Sequence, residues 1–400
     1  MESGAVSVAD TLSRKADFPG LLTADGAPWH YLDSAATAQK PQAVIDAMSR
    51  AMGADYATVH RGVYARSAEM TLAYEDARRK IARLIGGSEA EVVFTRGATE
   101  AINLVAYSYP DKGRVLLSEL EHHSNIVPWQ LAGWQVDVCP LTADGRIDLD
   151  VAEAMLTREH TMVSFAHVSN VLGSVLDAKR AAELAHSVGA KLLLDGCQAV
   201  PRLPVDVAAL DCDFYAFSAH KLYGPTGIGA LWGKAELLDM MPPWQGGGAM
   251  IDQVGFARTT YAPPPQRFEA GTPAIVEAIA FGAAFDFVSA IGLDAIHAHE
   301  ARLVAQTRAA LGAMNDVTLF GPEDSAGIVS FLIDGIHPHD LGTILDEANV
   351  AIRAGHHCAQ PLMAKLGIPA TARASFGIYS DEDDVAALLS GIERTRRIFG

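Results

Sequence analysis

Short apolar runs alternate with amphipathic stretches over the first two thirds of the chain. Runs rich in β-branched and aromatic residues are typical of buried strands, and they occur at residues 91–95, 114–118, 162–166, 191–194, 214–217 and 228–232. Helical candidates lie between them, including residues 99–107 and 178–187, the second of which is followed by Gly189 as a stop signal. This alternation predicts an α/β fold around a mixed, mostly parallel sheet.

The pattern changes in the last third of the chain. Residues 241–273 are rich in Pro and Gly, which is typical of loops. The later elements are a long polar helix from residue 292, a strand at 328–333, a helix at 339–348 and a helix after Ser380. We therefore predict a large domain over residues 30–285 and a smaller α+β domain formed by residues 1–29 and 286–400.

Charge and composition exclude several classes of partner. The 400 residues include 48 acidic and 31 basic side chains, giving a formal net charge of −17. Because Lys and Arg form no cluster, neither nucleic acid nor an anionic membrane is an expected partner. The N-terminus shows no export signal, and the apolar segment 274–293 carries Glu277 and Asp286, which favours a buried core helix. We predict a cytoplasmic protein.

Lys221 is the first candidate for chemistry. It stands in Ser-Ala-His-Lys, directly after a predicted buried strand. An amine placed there can be desolvated, lose its proton and form a Schiff base with a cofactor aldehyde. Taken alone, Lys221 would be interpreted as a solvated surface lysine, as most lysines are.

Asp195 and Gln198 follow another predicted strand and strengthen the functional interpretation of Lys221. A carboxylate at the carboxyl end of a strand lies where α/β sheets place ligand contacts, and in a pyridoxal site it keeps the ring nitrogen protonated. The structural alternative for Asp195 is a helix N-cap.

A phosphate site is predicted where the strand at 91–95 gives way to a helix. Gly97, Ala98 and Thr99 open that helix, and free backbone N–H groups at a helix start bind anions. Ser218 and His220 are expected to donate to the same phosphate. Such a glycine turn is common in α/β folds and is weak evidence alone.

Two histidines and an asparagine follow other strands. We predict that His123 stacks on a cofactor ring and exchanges protons, because imidazole titrates near neutral pH, and that His122 is a packed structural histidine. Asn170 is a candidate for binding substrate carboxylate or a ring oxygen, its structural alternative being a turn residue.

Cys358 differs from the other three cysteines, at positions 139, 197 and 212, which stand beside or within apolar runs or the Asp195 turn. It follows Arg353, His356 and His357, and a positive setting favours the reactive thiolate. The alternatives are a buried inert thiol and a zinc site, although adjacent residues seldom converge on one ion. No metal is predicted.

The motifs together resemble those of cysteine desulfurases in the aminotransferase class V family, of the SufS-like group (group II). The matching motifs are YLDSAAT (31–37), VHRGVY (59–64), TRGATEAINL (95–104), EHHSNIVPW (121–129), HVSNVLG (167–173), LLDGCQAVP (193–201), FSAHKLYGPTGIG (217–229), RFEAGTP (267–273), RAGHHCAQPL (353–362) and RASF (373–376). They span nearly the whole chain in family order.

The resemblance implies fold type I of the pyridoxal 5'-phosphate enzymes and a homodimer that converts L-cysteine to L-alanine. It implies a persulfide on Cys358 and a sulfur acceptor of the SufE or SufU kind for iron–sulfur cluster assembly. The roles that it assigns are Lys221 as the cofactor lysine, His123 as the stacking residue, Asp195 and Gln198 at the ring, Thr99, Ser218 and His220 at the phosphate, Thr272 at the neighbouring subunit's phosphate, and Arg373 at the substrate carboxylate. The predicted site also includes Ala98 at the phosphate, where the family often has Thr, and Asn170 and Arg353 at the substrate. Selenocysteine lyase, another class V reaction, or a non-catalytic sulfur or metal carrier remain alternatives.

Overall fold

The structure, a computed structural model, describes residues 12–399. Residues 1–11, which were assigned to the predicted small domain and to the N-terminal segment in which no export signal was predicted, lie outside the described residues. The strands are β1 (His30–Tyr31), β2 (Val92–Thr95), β3 (Arg114–Ser118), β4 (Gln135–Cys139), β5 (His160–Ala166), β6 (Lys191–Asp195), β7 (Phe214–Ser218), β8 (Gly229–Gly233), β9 (Ile251–Val254), β10 (Thr259–Tyr261), β11 (Val317–Phe320), β12 (Ile328–Ile333), β13 (Val350–Ala351), β14 (Arg353–Gly355) and β15 (Thr371–Ser375).

Helices cover both sheets of the fold and lie between most of the strands in sequence. They are α1 (Gln42–Met52), α2 (Ala65–Leu84), α3 (Ala98–Ser108), α4 (Val127–Leu131), α5 (Leu149–Met155), α6 (Ala178–Ser187), α7 (Val207–Leu210), α8 (Ala235–Met240), α9 (Ile275–Ile291), α10 (Leu293–Gly312), α11 (Pro338–Asp346), α12 (Gln360–Leu366) and α13 (Glu382–Phe399). The predicted segment 241–273 is not entirely loop, because β9 and β10 pair there as an antiparallel hairpin.

A seven-stranded sheet forms the centre of the larger unit, in the order β2-β8-β7-β6-β5-β3-β4. Only β8 runs against its neighbours, while the remaining pairs are parallel. Successive side chains of each strand point to opposite faces, so Leu192 and Leu194 enter one apolar cluster and Leu193 enters the other. The sheet is therefore buried on both faces, and the predicted mixed, mostly parallel sheet of fold type I is confirmed.

Local sequence sets the ends of the helices that cover this sheet, as α6 illustrates. The Asp177 side chain accepts a hydrogen bond from the backbone N–H of Arg180 at 3.0 Å and so caps the first turn. Ala181, Ala182 and Ala185 are buried, and Gly189 follows the helix at φ +89°. The predicted bounds 178–187 are confirmed.

The C-terminal part of the chain forms a second, four-stranded antiparallel sheet in the order β11-β12-β15-β14. Its apolar cluster includes Leu32, and β1 pairs in parallel with β13, so the chain around residues 30–32 packs with this unit. Helix α9 runs unbroken past residue 285. The exact domain boundaries stay a prediction.

Helix α9 corresponds to the predicted core helix at 274–293, and about half of its residues are buried, including Phe281 and Val288. In residues 12–399, no single helix is long and apolar enough to cross a membrane. Helices α9 and α10 are long and apolar enough for this only when they are taken together, and a bend of 76° separates them.

Candidate active site

The polar residues singled out in the sequence gather at the carboxyl edge of the large sheet, next to the small sheet. Segments that follow β2, β3, β5, β6 and β7 meet there, which is where α/β sheets bind ligands. One cleft is lined by Ala35, Ala36, Ala98, Thr99, His122, Ser124, Ala166, Val168, Asn170, Asp195, Cys197, Gln198, Ser218, His220, Lys221, Arg353, His357, Cys358 and Arg373. Every predicted site residue belongs to it except His123 and Thr272.

Lys221 ends a short 3-10 helix, Ala219–Lys221, that follows β7 directly. Its side chain is half-buried and faces the cleft. Among residues 12–399, no carboxylate lies within 4.0 Å of its Nζ atom as a salt-bridge partner. The amine is therefore available for a bond to a cofactor or for proton transfer.

Asp195 is the last residue of β6 and is buried in the cleft wall. Its Oδ1 atom accepts the backbone N–H of Cys197 at 3.0 Å. The side chain thus also stabilises the turn that follows β6, which resembles the capping alternative considered from sequence.

Gln198 is held by a network of buried polar side chains that extends away from the cleft. Its Oε1 atom accepts from Arg202 Nη1 at 2.8 Å, and its Nε2 atom donates to the Ala35 carbonyl at 2.7 Å. Arg202 Nε in turn lies 3.1 Å from Glu300 Oε2 on α10. A Cβ atom at Gly327 would approach both charged groups to within 2.4 Å, so only glycine leaves room for this ion pair. With Oε1 bound to Arg202, Gln198 offers its remaining N–H to the cleft.

Breaking this ion pair should destabilise the protein strongly. Arg202→Met is expected to lower the free energy of unfolding by about 3–5 kcal/mol, because Glu300 stays buried without a cation. Burial already raises the pKa of Glu300 to about 7. Without the Arg202 charge, which lowers it in the parent, the pKa of Glu300 rises further, so the variant keeps a proton that the parent releases and the loss relative to the parent should grow as the pH rises above about 7.

Urea unfolding at several pH values measures this loss. The double variant Arg202→Met/Glu300→Met is expected to recover much of it, since an apolar pair can replace a buried ion pair. Arg394→Met, which breaks an exposed pair with Glu347, is the surface control and should change stability little. A single variant as stable as the parent would show that the ion pair contributes nothing.

The start of α3 borders the cleft at the position where an anion site was predicted. Ser218 Oγ accepts the backbone N–H of Ala98 at 2.9 Å, and the next N–H groups, of Thr99 and Glu100, belong to the first turn that a helix leaves without intrahelical partners. A Cβ atom at Gly229 would lie 2.6 Å from the Gly97 Cα atom. Glycine at position 229 therefore allows β8 to pass close beneath the helix start.

Two further residues that were predicted to bind the phosphate lie next to this helix start. Thr99 Oγ1 is 2.8 Å from Ser124 Oγ. His220 Nδ1 lies 3.1 Å from Thr37 Oγ1, and burial, followed by the charge of Lys221, lowers the pKa of His220 to about 4. The imidazole is therefore neutral at physiological pH, and any contribution to anion binding is a hydrogen bond rather than a charge.

The prediction that His123 faces the cleft is wrong in position, because His122 occupies that place. His122 Nδ1 accepts the backbone N–H of Ser124 at 3.0 Å, which leaves the ring proton on Nε2. Burial, and next the charge of Lys221, lower the pKa of His122 to about 4. The His123 side chain instead bonds Gln360, at the start of α12. The 3-10 helix His123–Asn125 begins between the two rings and turns them in different directions.

Thr272 lies outside the cleft of its own chain. It lines a neighbouring pocket together with Arg96, Glu100, Gly227 and Trp244. Its predicted contact with the phosphate of a second subunit stays a prediction.

Cys358 is the half-buried thiol of the cleft, in what we call the Cys358 loop, residues 355–359. The other three cysteines are buried, and burial raises the pKa of each thiol, to about 12 for Cys139 and Cys197 and higher for Cys212. These thiols are protonated and unreactive at neutral pH. Cys197 also lines the cleft, but it is buried, whereas Cys358 is partly exposed.

His357 does not supply the positive charge that was predicted beside Cys358. His357 is buried, and burial followed by the charge of Arg373 lowers its pKa to about 3. Its Nε2 atom is 2.9 Å from Thr371 Oγ1, so the ring points away from the thiol. Within residues 12–399, no group of three or more His, Cys, Asp or Glu side chains is arranged to hold a metal ion.

Asp33 was missed as a site residue, although it lies in the YLDSAAT motif. Its two oxygens bind two arginines, Oδ1 to Arg373 Nη2 at 2.9 Å and Oδ2 to Arg353 Nε at 3.1 Å. Arg373 Nη1 also donates to the Asn170 carbonyl at 2.7 Å, while its Nε atom is buried without a partner among the described residues. Burial lowers the pKa of Arg373 to about 10, so the guanidinium stays charged and can receive a carboxylate.

These features fit pyridoxal 5'-phosphate. The cleft holds an amine that has no salt-bridge partner within residues 12–399, a buried carboxylate at a strand end, and a helix start whose first N–H groups lack intrahelical partners. An anion site and a carboxylate partner for a ring nitrogen are what the two ends of that cofactor require.

Comparison with known proteins agrees with this geometry. The model of the aminotransferase class V family matches residues 30–388. The chain belongs to this family. A cysteine desulfurase of Dickeya dadantii (strain 3937) is 49% identical over 96% of this chain and 97% of its own length. A probable cysteine desulfurase of Halalkalibacterium halodurans is 46% identical over 94% of this chain and 95% of its own length.

A solved structure of the same class superimposes closely. The cysteine desulfurase CsdA of Escherichia coli has a TM-score of 0.90 at 39% identity, covering 96% of this chain and 98% of the other. The predicted family is therefore confirmed, and the protein is a pyridoxal 5'-phosphate enzyme.

Proposed function

We propose that this protein is a cysteine desulfurase that removes sulfur from L-cysteine, releases L-alanine and retains the sulfur as a persulfide on Cys358. The observation that carries the proposal is that Lys221 and Cys358 line the same cleft. A carrier without catalysis would need the thiol but not the lysine, the carboxylate and the anion site beside it.

When bound, the cofactor withdraws electrons from the α-carbon of the attached substrate. Around it, Asp195 holds the ring nitrogen, Gln198 donates to the ring oxygen, and the start of α3 with Ser218 holds the phosphate. His122 takes the stacking place that sequence assigned to His123. Its Nε2 proton is available to the substrate because Nδ1 is occupied by the Ser124 amide.

The substrate carboxylate binds at Arg373, whose partnerless Nε atom provides a donor. Lys221 Nζ then removes the proton from the substrate α-carbon. Cys358 attacks as the thiolate, forming a sulfur–sulfur bond while the bond between substrate sulfur and β-carbon breaks. The electron pair of the broken bond remains on the carbon, which takes a proton from water and becomes the methyl group of alanine, and the protonated Lys221 amine returns a proton to the α-carbon. The products are alanine and a Cys358 persulfide.

We further propose a homodimer that passes the sulfur to an acceptor protein of the SufE or SufU kind for iron–sulfur cluster assembly. Highly exposed apolar side chains support an interface, among them Val63 and Phe256, which are about as exposed as in an extended chain. Val63 belongs to the VHRGVY motif and Phe256 to the turn between β9 and β10. A cytoplasmic location stays a prediction.

Incubation of the purified protein with L-cysteine tests the activity. Alanine and Cys358-bound sulfane sulfur are measured together, the second by mass spectrometry of the Cys358 peptide. We expect one alanine for each persulfide in the first turnover. Alanine formed without sulfur on Cys358 would contradict the mechanism.

Arg373→Lys should weaken substrate binding more than it slows catalysis. Lysine keeps the charge but loses the planar fork that binds a carboxylate and Asp33 together. We expect the KM for L-cysteine to rise about 10- to 150-fold, the equivalent of 1.5–3 kcal/mol for a hydrogen bond to a charged group. Steady-state kinetics measure the change, and Arg394→Lys on the surface of α13 is the control. A lower kcat at unchanged KM would remove Arg373 from substrate binding.

A further inference from the structure

His123 contacts the Cys358 loop from two directions although it does not line the cleft. Its backbone N–H donates to the Cys358 carbonyl at 2.8 Å. Its Nε2 atom accepts the backbone N–H of Gln360 at 3.1 Å. The two bonds flank Cys358 on its carboxyl side and leave its thiol free to face the cleft.

The segment that carries His123 is anchored to the large sheet. Glu121 is fully buried, and its carboxylate accepts from Asn125 Nδ2 at 2.7 Å and from the Ala166 backbone N–H at 3.1 Å. Asn125 Oδ1 in turn accepts from Trp129 Nε1 at 3.0 Å. His123 therefore projects from a fixed base on the side of the cleft that holds Lys221.

The Cys358 loop needs such support because of its backbone conformation. His357 and Cys358 have φ angles of 52° and 55°, in the left-handed region that residues with a Cβ atom rarely adopt. Asn170 Nδ2 supports the first of them by donating to the His357 carbonyl at 2.7 Å. The bonds from His123 support the second.

The chemistry of the His123 ring is suited to this contact. Nε2 can accept the Gln360 N–H only while it carries no proton. Burial and the neighbouring His356 ring, with centroids 5.7 Å apart, both lower the pKa of His123. The neutral ring that accepts a hydrogen bond is thus the favoured form at neutral pH.

We propose that His123 is a positioning residue, which holds the Cys358 loop in the conformation that directs the thiol toward the substrate sulfur. The inference rests on the proposed role of Cys358, and it replaces the ring contact that sequence assigned to His123. Without the Nε2 bond, Cys358 leaves the left-handed conformation more often. Sulfur transfer then slows, while cofactor binding is unaffected.

Three variants of the holoenzyme test the proposal. His123→Ala removes the acceptor, and His123→Gln supplies a side-chain oxygen near the position of Nε2. Both keep the backbone bond to the Cys358 carbonyl. His122→Ala is the matched neighbour, because its ring faces the cleft.

Three measurements compare these variants with the parent. They are hydrogen exchange of residues 355–360, the rate at which iodoacetamide alkylates Cys358, and the visible absorbance of the bound cofactor. In His123→Ala we expect the Gln360 amide to exchange roughly 3- to 10-fold faster, as for the loss of one neutral hydrogen bond. Cys358 alkylation should change by a similar factor and kcat should fall, with KM and absorbance unchanged. His123→Gln should recover most of these effects, and only His122→Ala should alter the absorbance.

Two outcomes would overturn the proposal. One is a shift of cofactor absorbance in His123→Ala like that in His122→Ala, which would return His123 to the cofactor. The other is unchanged exchange and alkylation in His123→Ala. Hydrogen exchange, alkylation and cofactor absorbance are all measured on the enzyme without substrate. They therefore decide the role of His123 even if Cys358 proved not to be the sulfur acceptor.

Discussion

Lys221→Ala is expected to yield a colourless protein with no measurable desulfurase activity. The visible absorbance depends on a covalent bond between the cofactor and a lysine amine, and Lys221 is the lysine that lines the cleft. Removing a group that also transfers the α-proton should lower the rate by at least about 10²–10⁴. Absorption spectra of protein purified without added amines, together with alanine release, measure both effects.

Lys40 cannot take over this role. Its Nζ atom is bound to the carbonyls of Ala38 and His220, the second at 3.0 Å. Lys365→Ala is a suitable control, because Lys365 forms an exposed salt bridge with Glu119, and it should keep normal colour and turnover. If Lys221→Ala kept the parent spectrum, another amine would hold the cofactor and our assignment would be wrong.

Cys358→Ala should separate cofactor binding from sulfur transfer. We expect the colour to be retained, because Cys358 does not contribute to the ring or phosphate contacts. Alanine formation should fall by at least about a thousandfold, since removal of a covalent nucleophile abolishes most of the chemical step. Sulfane sulfur should disappear from the Cys358 peptide.

The buried cysteines provide the comparison for this variant. Cys212→Ala removes a thiol whose Sγ atom contacts the Val207 carbonyl in the core, and turnover per folded molecule should be unchanged. Turnover by Cys358→Ala at the parent rate would exclude Cys358 from the mechanism.

Much of the site could be predicted because it depends on strand ends. Thr99, Asp195 and Lys221 follow apolar runs whose lengths and order are visible in the sequence, and the carboxyl ends of parallel strands meet at one edge. Residues placed by this rule lie where they were expected. The family motifs added Cys358, Arg353 and Arg373, which the second sheet brings to the same edge.

Side-chain direction within a turn could not be predicted in the same way. His122 and His123 are adjacent, follow the same strand and have the same chemistry, so periodicity cannot distinguish them. The 3-10 helix that begins at His123 decides which ring enters the cleft. Glu121, the residue before the pair, is buried in the structure, but a glutamate at this position does not by itself indicate burial in the sequence.

Ion pairs between residues that are distant in the chain could not be predicted from the sequence either. Asp33 lies more than 300 positions before the two arginines that it binds, and Glu300 meets Arg202 from a different unit. Each contact depends on how β1 and α10 pack against distant elements. Nothing in the local pattern around Asp33 or Glu300 indicates these partners.

Asn170 contacts both the substrate anchor and the peptide beside the nucleophile. Its carbonyl accepts from Arg373 and its side-chain amide donates to His357. Under the proposed role of Arg373, Asn170 connects the group that binds the substrate carboxylate to the loop that carries the thiol. A decarboxylated analogue such as cysteamine has no carboxylate for Arg373, so under this proposed role we expect the enzyme to discriminate against small thiol-bearing amines.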